Sequence, residues 1–189
     1  MTKFTLGNGD PFIYMKVGIH AKESLADIIK RKREEIAKAG VAFWGYGGGT
    51  CHPLTAVRPF VTDVTSSGTT VRLLMQEINS KHFAEQVRAD SYSSNGIDWK
   101  KIPTPINVLG SRYALVLSSL EEVDLKVALD DTKVGVGRLA GTPGSQYIRG
   151  RVDKACLIFS PSAALHTAED EISLRLAATL ADPFAVLLK

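Results

Sequence analysis

The segment 43–53, Phe-Trp-Gly-Tyr-Gly-Gly-Gly-Thr-Cys-His-Pro, contains the residues of this chain that are best suited to bind an anion. Successive glycines have no Cβ atom, so their backbone can adopt left-handed conformations and approach a ligand closely. Their N–H groups can converge on phosphate, and a helix beginning at Pro53 would add partial positive charge. The sequence therefore predicts phosphate binding by four consecutive residues: Gly47, Gly48, Gly49 and Thr50.

Two aromatic residues stand before these glycines. Trp44 and Tyr46 are two positions apart, so on a strand they face the same side. They could stack on the ring of a ligand or pack in the core, and the sequence leaves both interpretations open. His52 is a further candidate for ligand contact. The segment has neither the Gly-Lys-Ser/Thr end of a Walker loop nor the spaced glycines of a dinucleotide-binding fingerprint.

Cys51 and His52 are the residue types of a thiol nucleophile and its base. Sequence neighbours rarely reach the geometry of catalysis, because the base must approach the sulfur from across space. His20 or His82 could serve instead, and a disulfide between Cys51 and Cys156 stays open. The cysteines and histidines lack the spacing of a metal-binding motif. We therefore predict no catalytic residue, no metal ligand and no cofactor. The alternative is a hydrolase or transferase that acts on a nucleotide through Cys51 or His52.

A second group of candidates is basic. Guanidinium groups match the geometry of phosphate oxygens, so a region rich in glycine, hydroxyls and arginine indicates an anion-binding wall. Solvated loop arginines are the alternative interpretation. The candidates are Arg138, Arg149, Arg151 and Lys154, with weaker candidates of the same type at Asn107, Ser111, Arg112 and Tyr113.

The elements expected in the N-terminal half place the glycine-rich segment between a strand and a helix. Residues 11–20 are rich in aromatic and β-branched types and predict a strand. A helix is predicted from the N-cap Ser24 to residue 39, with Gly40 as its C′ glycine. Its charged run, 30–35, is expected to be mostly solvated, opposite an apolar face formed by Leu25, Ile28, Ile29 and Ile36. A strand over 41–46, a short helix from Pro53 to about residue 60 and a polar loop over 63–69 complete this half.

The C-terminal half is expected to be rich in strands. A strand over 70–78 precedes a hairpin over 86–102, in which Asn95-Gly96 is a favoured type I′ turn pair. Further strands are predicted over 112–118, 133–139 and 152–159. A C-terminal helix is predicted from Thr167, because its first turn is acidic, to Asp182-Pro183. The expected fold class is α+β: one domain over 1–189 with an N-terminal amphipathic helix, a C-terminal helix and a mostly antiparallel sheet, for which barrel-like closure is an open expectation.

Composition is that of an ordinary globular domain. The chain has 189 residues, of which 44% are hydrophobic and 23% charged, and its formal net charge is +3. These values disfavour disorder and a protein that coats a polyanion. The N-terminus lacks the apolar stretch of a signal peptide, and no run approaches the roughly 18 apolar residues of a membrane helix. We therefore expect a cytoplasmic protein without a membrane partner.

The order of elements resembles the PUA-like superfamily. The resemblance rests on a strand, a basic-faced helix, the strand that holds Phe43 to Tyr46, and a β-rich remainder. It implies a small barrel of the ASCH, EVE or YTH type, which binds RNA or modified bases, often in an aromatic cage. In its size and its glycine, aromatic and arginine content, the chain also resembles phage-encoded proteins that sequester immune signalling nucleotides.

These observations give a leading hypothesis and an alternative of another class. The leading hypothesis is non-catalytic binding of a small nucleotide-like ligand, with sequestration of a signalling nucleotide (an anti-defence role) as its stronger form. The alternative is a PUA-like reader of RNA or modified DNA bases, so a nucleic-acid partner stays open. The oligomeric state also stays open, a homo-oligomer included.

Overall fold

The computed structural model describes residues 4–20, 22–82, 85–149, 152–162 and 168–189. In chain order the elements are β1 (Pro11–His20), α1 (Leu25–Ala39), β2 (Ala42–Tyr46), a π-helical turn (Pro53–Val57), α2 (Arg58–Ser66), β3 (Arg72–His82), β4 (Ser91–Ser93), β5 (Lys100–Lys101), β6 (Tyr113–Ala128), β7 (Thr132–Val134), α3 (Gly144–Tyr147), β8 (Lys154–Phe159) and β9 (Glu171–Leu188). None of the described helices is long and apolar enough to cross a membrane.

One mixed sheet joins the strands, in the order β2-β6-β9-β3-β1-β8-β7, with the β4–β5 pair attached to β9. β1 and β3 are parallel, and the other described pairs are antiparallel. The predicted α+β class with a mostly antiparallel sheet is therefore confirmed. Barrel-like closure is not supported, because β2 and β7 lie at opposite ends of the order and do not pair with each other in the described part of the chain.

Helix α1 forms as its sequence predicts. The Ser24 side chain accepts a hydrogen bond from the Asp27 N–H, and Gly40 ends the helix in the left-handed region at φ 79°. Ile28 is buried against the sheet. The expectation of a mostly solvated charged run is wrong at two positions, because Lys32 and Glu35 are only 3% and 1% exposed.

The predicted C-terminal helix is wrong. A short 3₁₀ turn, Ala168–Asp170, is followed by the 18-residue strand β9, which lies between β6 and β3. Ile172, Leu174 and Leu176 are buried, whereas Arg175 between two of them is exposed. The leucines and alanines of this segment favour a helix in isolation, but pairing on both edges and burial of alternate side chains outweigh that preference.

Several boundaries also differ from expectation. α2 continues to Ser66, so the first part of the predicted loop 63–69 is helical. β6 extends ten residues past the predicted end at 118, to Ala128, and β7 ends at Val134, short of 139. The predicted hairpin exists as β4 and β5, but six residues join them instead of a two-residue turn, because the Asn95 carboxamide oxygen accepts the N–H groups of Ile97 and Asp98.

The sheet buries both of its faces. Ile13 and Leu73 pack on one face, with Ile28 of α1 and Phe60 of α2, in a cluster that also contains Trp44 and Tyr46. Phe12, Tyr14 and Leu74, which alternate with them along β1 and β3, belong to a cluster on the opposite face. Strands with two buried faces are apolar along most of their length, which explains why a period of two is weak in this sequence.

Alanine substitutions in β9 test whether its side chains alternate between the core and the solvent. We expect Leu174→Ala to lower the free energy of unfolding by about 2–5 kcal/mol, because a fully buried side chain leaves a cavity in the core. The control Arg175→Ala removes the next side chain, which faces solvent and pairs with Asp124, and should change stability by no more than about 1 kcal/mol. Denaturant titration measures both values, and equal losses for the two variants would contradict the strand assignment.

Candidate functional site

A pocket of about 520 Å³ lies where α1, the start of β6 and the ends of β1 and β2 meet. Its volume is in the range of pockets that hold small organic ligands. The lining residues come from four stretches that are far apart in sequence: 15–20 of β1, 23–32 at the start of α1, 44–48 at the end of β2, and 107–113 before and at the start of β6. Ile78 of β3, Asp153 just before β8 and Lys154 at its start complete the wall.

The structure brings only some of the predicted ligand-binding residues to this pocket. Trp44, Gly47, Gly48 and Arg112 line it, and so do the weaker candidates Asn107, Ser111 and Tyr113, together with Lys154. Tyr46 is fully buried in the core, where its hydroxyl donates to the Cys51 carbonyl at 3.0 Å. Arg138 and Arg149 are exposed and are not among the lining residues, and Arg151 lies outside the described residues.

Of the remaining candidates, Thr50 and His52 do not line the pocket but form hydrogen bonds with residues that do. The Thr50 hydroxyl donates to Oδ1 of Asp153 at 2.7 Å. His52 Nε2 is 3.2 Å from the Tyr113 hydroxyl, and its Nδ1 accepts the Leu54 N–H. Gly49 has open space around the position of a Cβ atom and is not among the lining residues.

Two glycines of this segment, Gly45 and Gly48, serve close packing, and the expectation of left-handed backbone at Gly47, Gly48 and Gly49 is wrong. Gly47, Gly48 and Gly49 have no positive φ, whereas Cys51 does, at 49°. A Cβ atom on Gly48 would lie 2.9 Å from Cε2 of Tyr113, and one on Gly45 would lie 2.5 Å from Oγ of Ser111. The absence of side chains therefore lets the end of β2 lie against the start of β6. The predicted helix at Pro53 begins with the five-residue turn Pro53–Val57, which continues into α2. The His52 side chain caps this turn by accepting the Leu54 N–H.

A buried carboxylate ties α1 to the loop before β6. Glu35 accepts from Lys32 Nζ at 2.9 and 3.0 Å, from Arg31 Nη1 at 3.0 Å and from the Asn107 N–H at 3.0 Å. Lys32 Nζ also donates to the Asn107 carbonyl at 2.7 Å, and Arg31 pairs with Glu23. Buried charges are costly unless paired, so this network fixes α1 and the loop in one relative position. The spacing 28, 32, 35 places both groups on the apolar face of α1, which is the signal that the sequence offered.

Positive charge predominates among the lining residues. The lining contains five cationic side chains and only two carboxylates. The cations are Lys16, Arg31, Lys32, Arg112 and Lys154, and the carboxylates are Glu23 and Asp153. Burial lowers the pKa of Lys32 to about 8, although Glu35 opposes this shift. Burial would raise the pKa of Asp153, but hydrogen bonds from Lys154 and Thr50 outweigh it and hold that pKa below its ordinary value. The pocket is therefore suited to an anion.

The candidate nucleophile Cys51 and the candidate base His52 each contact other groups. Cys51 Sγ is 3.2 Å from Cys156 Sγ, and both thiols are free. The His52 ring contacts Tyr113 and Leu54, as described above. His20 Nε2 is 3.1 Å from the Leu109 carbonyl, and the His82 side chain lies outside the described residues. Among the residues that the structure describes, no three His, Cys, Asp or Glu side chains are grouped to hold a metal ion.

Removal of the buried Glu35 carboxylate should break this hydrogen-bond network and destabilise the folded protein. We expect Glu35→Ala to lower the free energy of unfolding by about 3–5 kcal/mol, because Lys32 then remains buried without its counter-charge. The matched control is Glu34→Ala, one residue earlier, where the carboxylate is exposed and lies 3.9 Å from Lys38. That change should cost less than about 1 kcal/mol. Similar losses in chemical denaturation would show that the Glu35 network does not hold the fold.

The depressed pKa of Lys32 predicts a pH effect of definite sign. Between the pKa of about 8 in the folded protein and the ordinary value of 10.5, the unfolded chain binds more protons at this amine. The free energy of unfolding therefore rises with pH across this window. We expect the difference between wild type and Lys32→Met to grow by on the order of 2–3 kcal/mol over it. Titrating groups away from the Lys32 network are common to both proteins and cancel; a flat or falling difference is the contrary result.

Comparison with known protein families, with curated proteins and with solved structures found no match for this chain. The resemblances to the PUA-like superfamily and to nucleotide-sequestering proteins therefore stay predictions from the sequence.

Proposed function

We propose that this protein binds a small nucleotide-like anion in the 520 Å³ pocket and releases it unchanged. The single observation behind the proposal is that one pocket has both aromatic and cationic walls. Trp44 and Tyr113 supply the aromatic surface, and Lys16 and Arg112 supply the charge.

The cations divide into two groups. Arg31 and Lys32 are held by Glu23 and Glu35, and Lys154 is held by Asp153 at 2.7 Å. The side chains of Lys16 and Arg112 make no ion pair within the part of the chain that the structure describes. These two are therefore available to neutralise a phosphate group, and an arginine can bind it through two parallel hydrogen bonds.

The aromatic walls suit a flat ring. Tyr113 is half-buried and is held at 71° to the His52 ring, with centroids 4.9 Å apart. Trp44 is only 5% exposed, so little of its side chain can meet a ligand. A base that enters the pocket would stack on the exposed part of Tyr113, and such stacking tolerates different bases.

Binding without turnover is supported by the state of the reactive side chains. Both nitrogens of His52 already have partners, and the Cys51 thiol faces Cys156 instead of a base. Retention of an unaltered ligand is the behaviour required of a protein that sequesters a signalling nucleotide. We include that role in the proposal because of the resemblance drawn from the sequence.

Calorimetric titration with a panel of nucleoside phosphates and cyclic dinucleotides tests the proposal. We expect one or more of these ligands to bind, and to be recovered chemically intact after the protein is denatured by heat. A flat trace across the whole panel, or recovery of a cleaved or transferred product, would overturn the proposal. Salt-dependent binding of single-stranded oligonucleotides alone would favour the nucleic-acid reader instead.

Two arginines provide a matched pair of variants. Arg112 lines the pocket and Arg138 is exposed away from it. We expect Arg112→Gln to weaken binding of the best panel ligand about tenfold, because loss of a charge-assisted hydrogen bond costs roughly 1.5 kcal/mol. Arg138→Gln should leave the dissociation constant unchanged. Equal effects of the two variants in the same titration would place the anion outside this pocket.

A further inference from the structure

A second group of reactive side chains lies next to the glycine-rich segment but does not line the pocket. The thiols of Cys51 and Cys156, which are 105 residues apart in sequence, have their sulfur atoms 3.2 Å apart. Cys51 is half-buried, and Cys156 is 1% exposed in the middle of β8, opposite Ile13 of β1. Two thiols so close need a sulfur displacement of only about 1 Å to form a disulfide bond.

Several contacts hold Cys51 in this position. Its backbone has φ 49°, a conformation that side-chain-bearing residues rarely adopt. The Tyr46 hydroxyl donates to the Cys51 carbonyl at 3.0 Å, and the neighbouring Thr50 hydroxyl donates to Asp153, just before the strand that carries Cys156. The fold thus fixes an unusual backbone so that one thiol faces the other.

We propose that Cys51 and Cys156 form an oxidation site that reacts with a hydroperoxide to give an intramolecular disulfide. The Cys51 thiolate attacks one peroxide oxygen, the O–O bond breaks, and the other oxygen leaves as an alcohol or water after taking a proton. Cys51 is then a sulfenic acid. The Cys156 sulfur attacks the Cys51 sulfur, the S–O bond breaks, and the hydroxyl leaves as water with the Cys156 proton. Two thiols are oxidised by two electrons, and one peroxide is reduced.

The two cysteines differ in the way that these roles require. Peroxide reaches the half-buried Cys51 before the buried Cys156. A hydrogen bond from Cys156 and the nearby Lys154 charge lower the pKa of the Cys51 thiol against the effect of burial. The same sulfur contact and burial raise the pKa of the Cys156 thiol. Since the thiolate is the nucleophile, Cys51 attacks first and Cys156 resolves the intermediate.

The test is mass spectrometry of the whole chain after treatment with hydrogen peroxide. We expect the wild type to lose the mass of two hydrogen atoms and to yield, on digestion without reductant, one peptide pair joined through Cys51 and Cys156. A reductant should restore the original mass. These measurements use no variant, so they do not depend on how a substitution affects folding.

Two variants then separate the roles. Cys156→Ser keeps a hydrogen-bond donor beside Cys51 and should accumulate a sulfenic acid there, captured by dimedone. The thiol of Cys51 in that variant should react at least about tenfold faster than the thiol of Cys156 in Cys51→Ser. The proposal is overturned if the wild type keeps both thiols, if oxidation joins two chains only, or if the wild type gains oxygen at Cys51 without the internal link.

Discussion

The buried Glu35 carboxylate is the interaction on which the candidate site depends. It accepts hydrogen bonds from two side chains of its own helix and from the Asn107 backbone, and the Asn107 carbonyl in turn accepts from Lys32. This closed set of contacts joins α1 to the loop that leads into β6. Because both elements line the pocket, the shape of the pocket follows from the pairing of these charges. A hydrophobic replacement could preserve stability but would not supply the same directional link.

The same network decides which charges a ligand can meet. Lys32 and Arg31 are paired with carboxylates, so they would attract an incoming anion through their electrostatic field and not by direct contact. Lys16 and Arg112 have no such partners in the described structure and lie on the same pocket. Some cations are thus paired to hold the fold, whereas Lys16 and Arg112 remain available to a ligand. This division explains how a chain of modest net charge can present a cationic cavity.

Part of the glycine-rich segment lines the pocket, but not with the backbone conformation that the sequence suggested. The sequence indicated that Trp44, Gly47 and Gly48 belong to a site, and these residues line the pocket. The expected left-handed backbone is absent from the three glycines, and only Gly48 lies so close to Tyr113 that a Cβ atom would collide with its ring. Arg112 and Lys154 were candidates on residue type alone, whereas Lys16 and Lys32 were not singled out. Lys16 lies near Lys154 because β1 pairs with β8, where Met15 is opposite Lys154, and the docking of α1 brings Lys32 to the loop before β6. These are contacts between distant parts of the chain.

The sequence by itself determined those helices, strands and turns whose signals lie within a few neighbouring residues. It placed β1, the capped helix α1 with Gly40 at its end, β2 and the β4–β5 hairpin, because propensity, capping and turn residues act over a few positions. Only the tertiary structure decided that residues 171–188 form a central strand, that Lys32 and Glu35 are buried, and that Cys51 meets Cys156. Each of these outcomes needs a partner tens of residues away, and its stabilisation by sheet pairing, desolvation or side-chain contact appears only when that partner is in place.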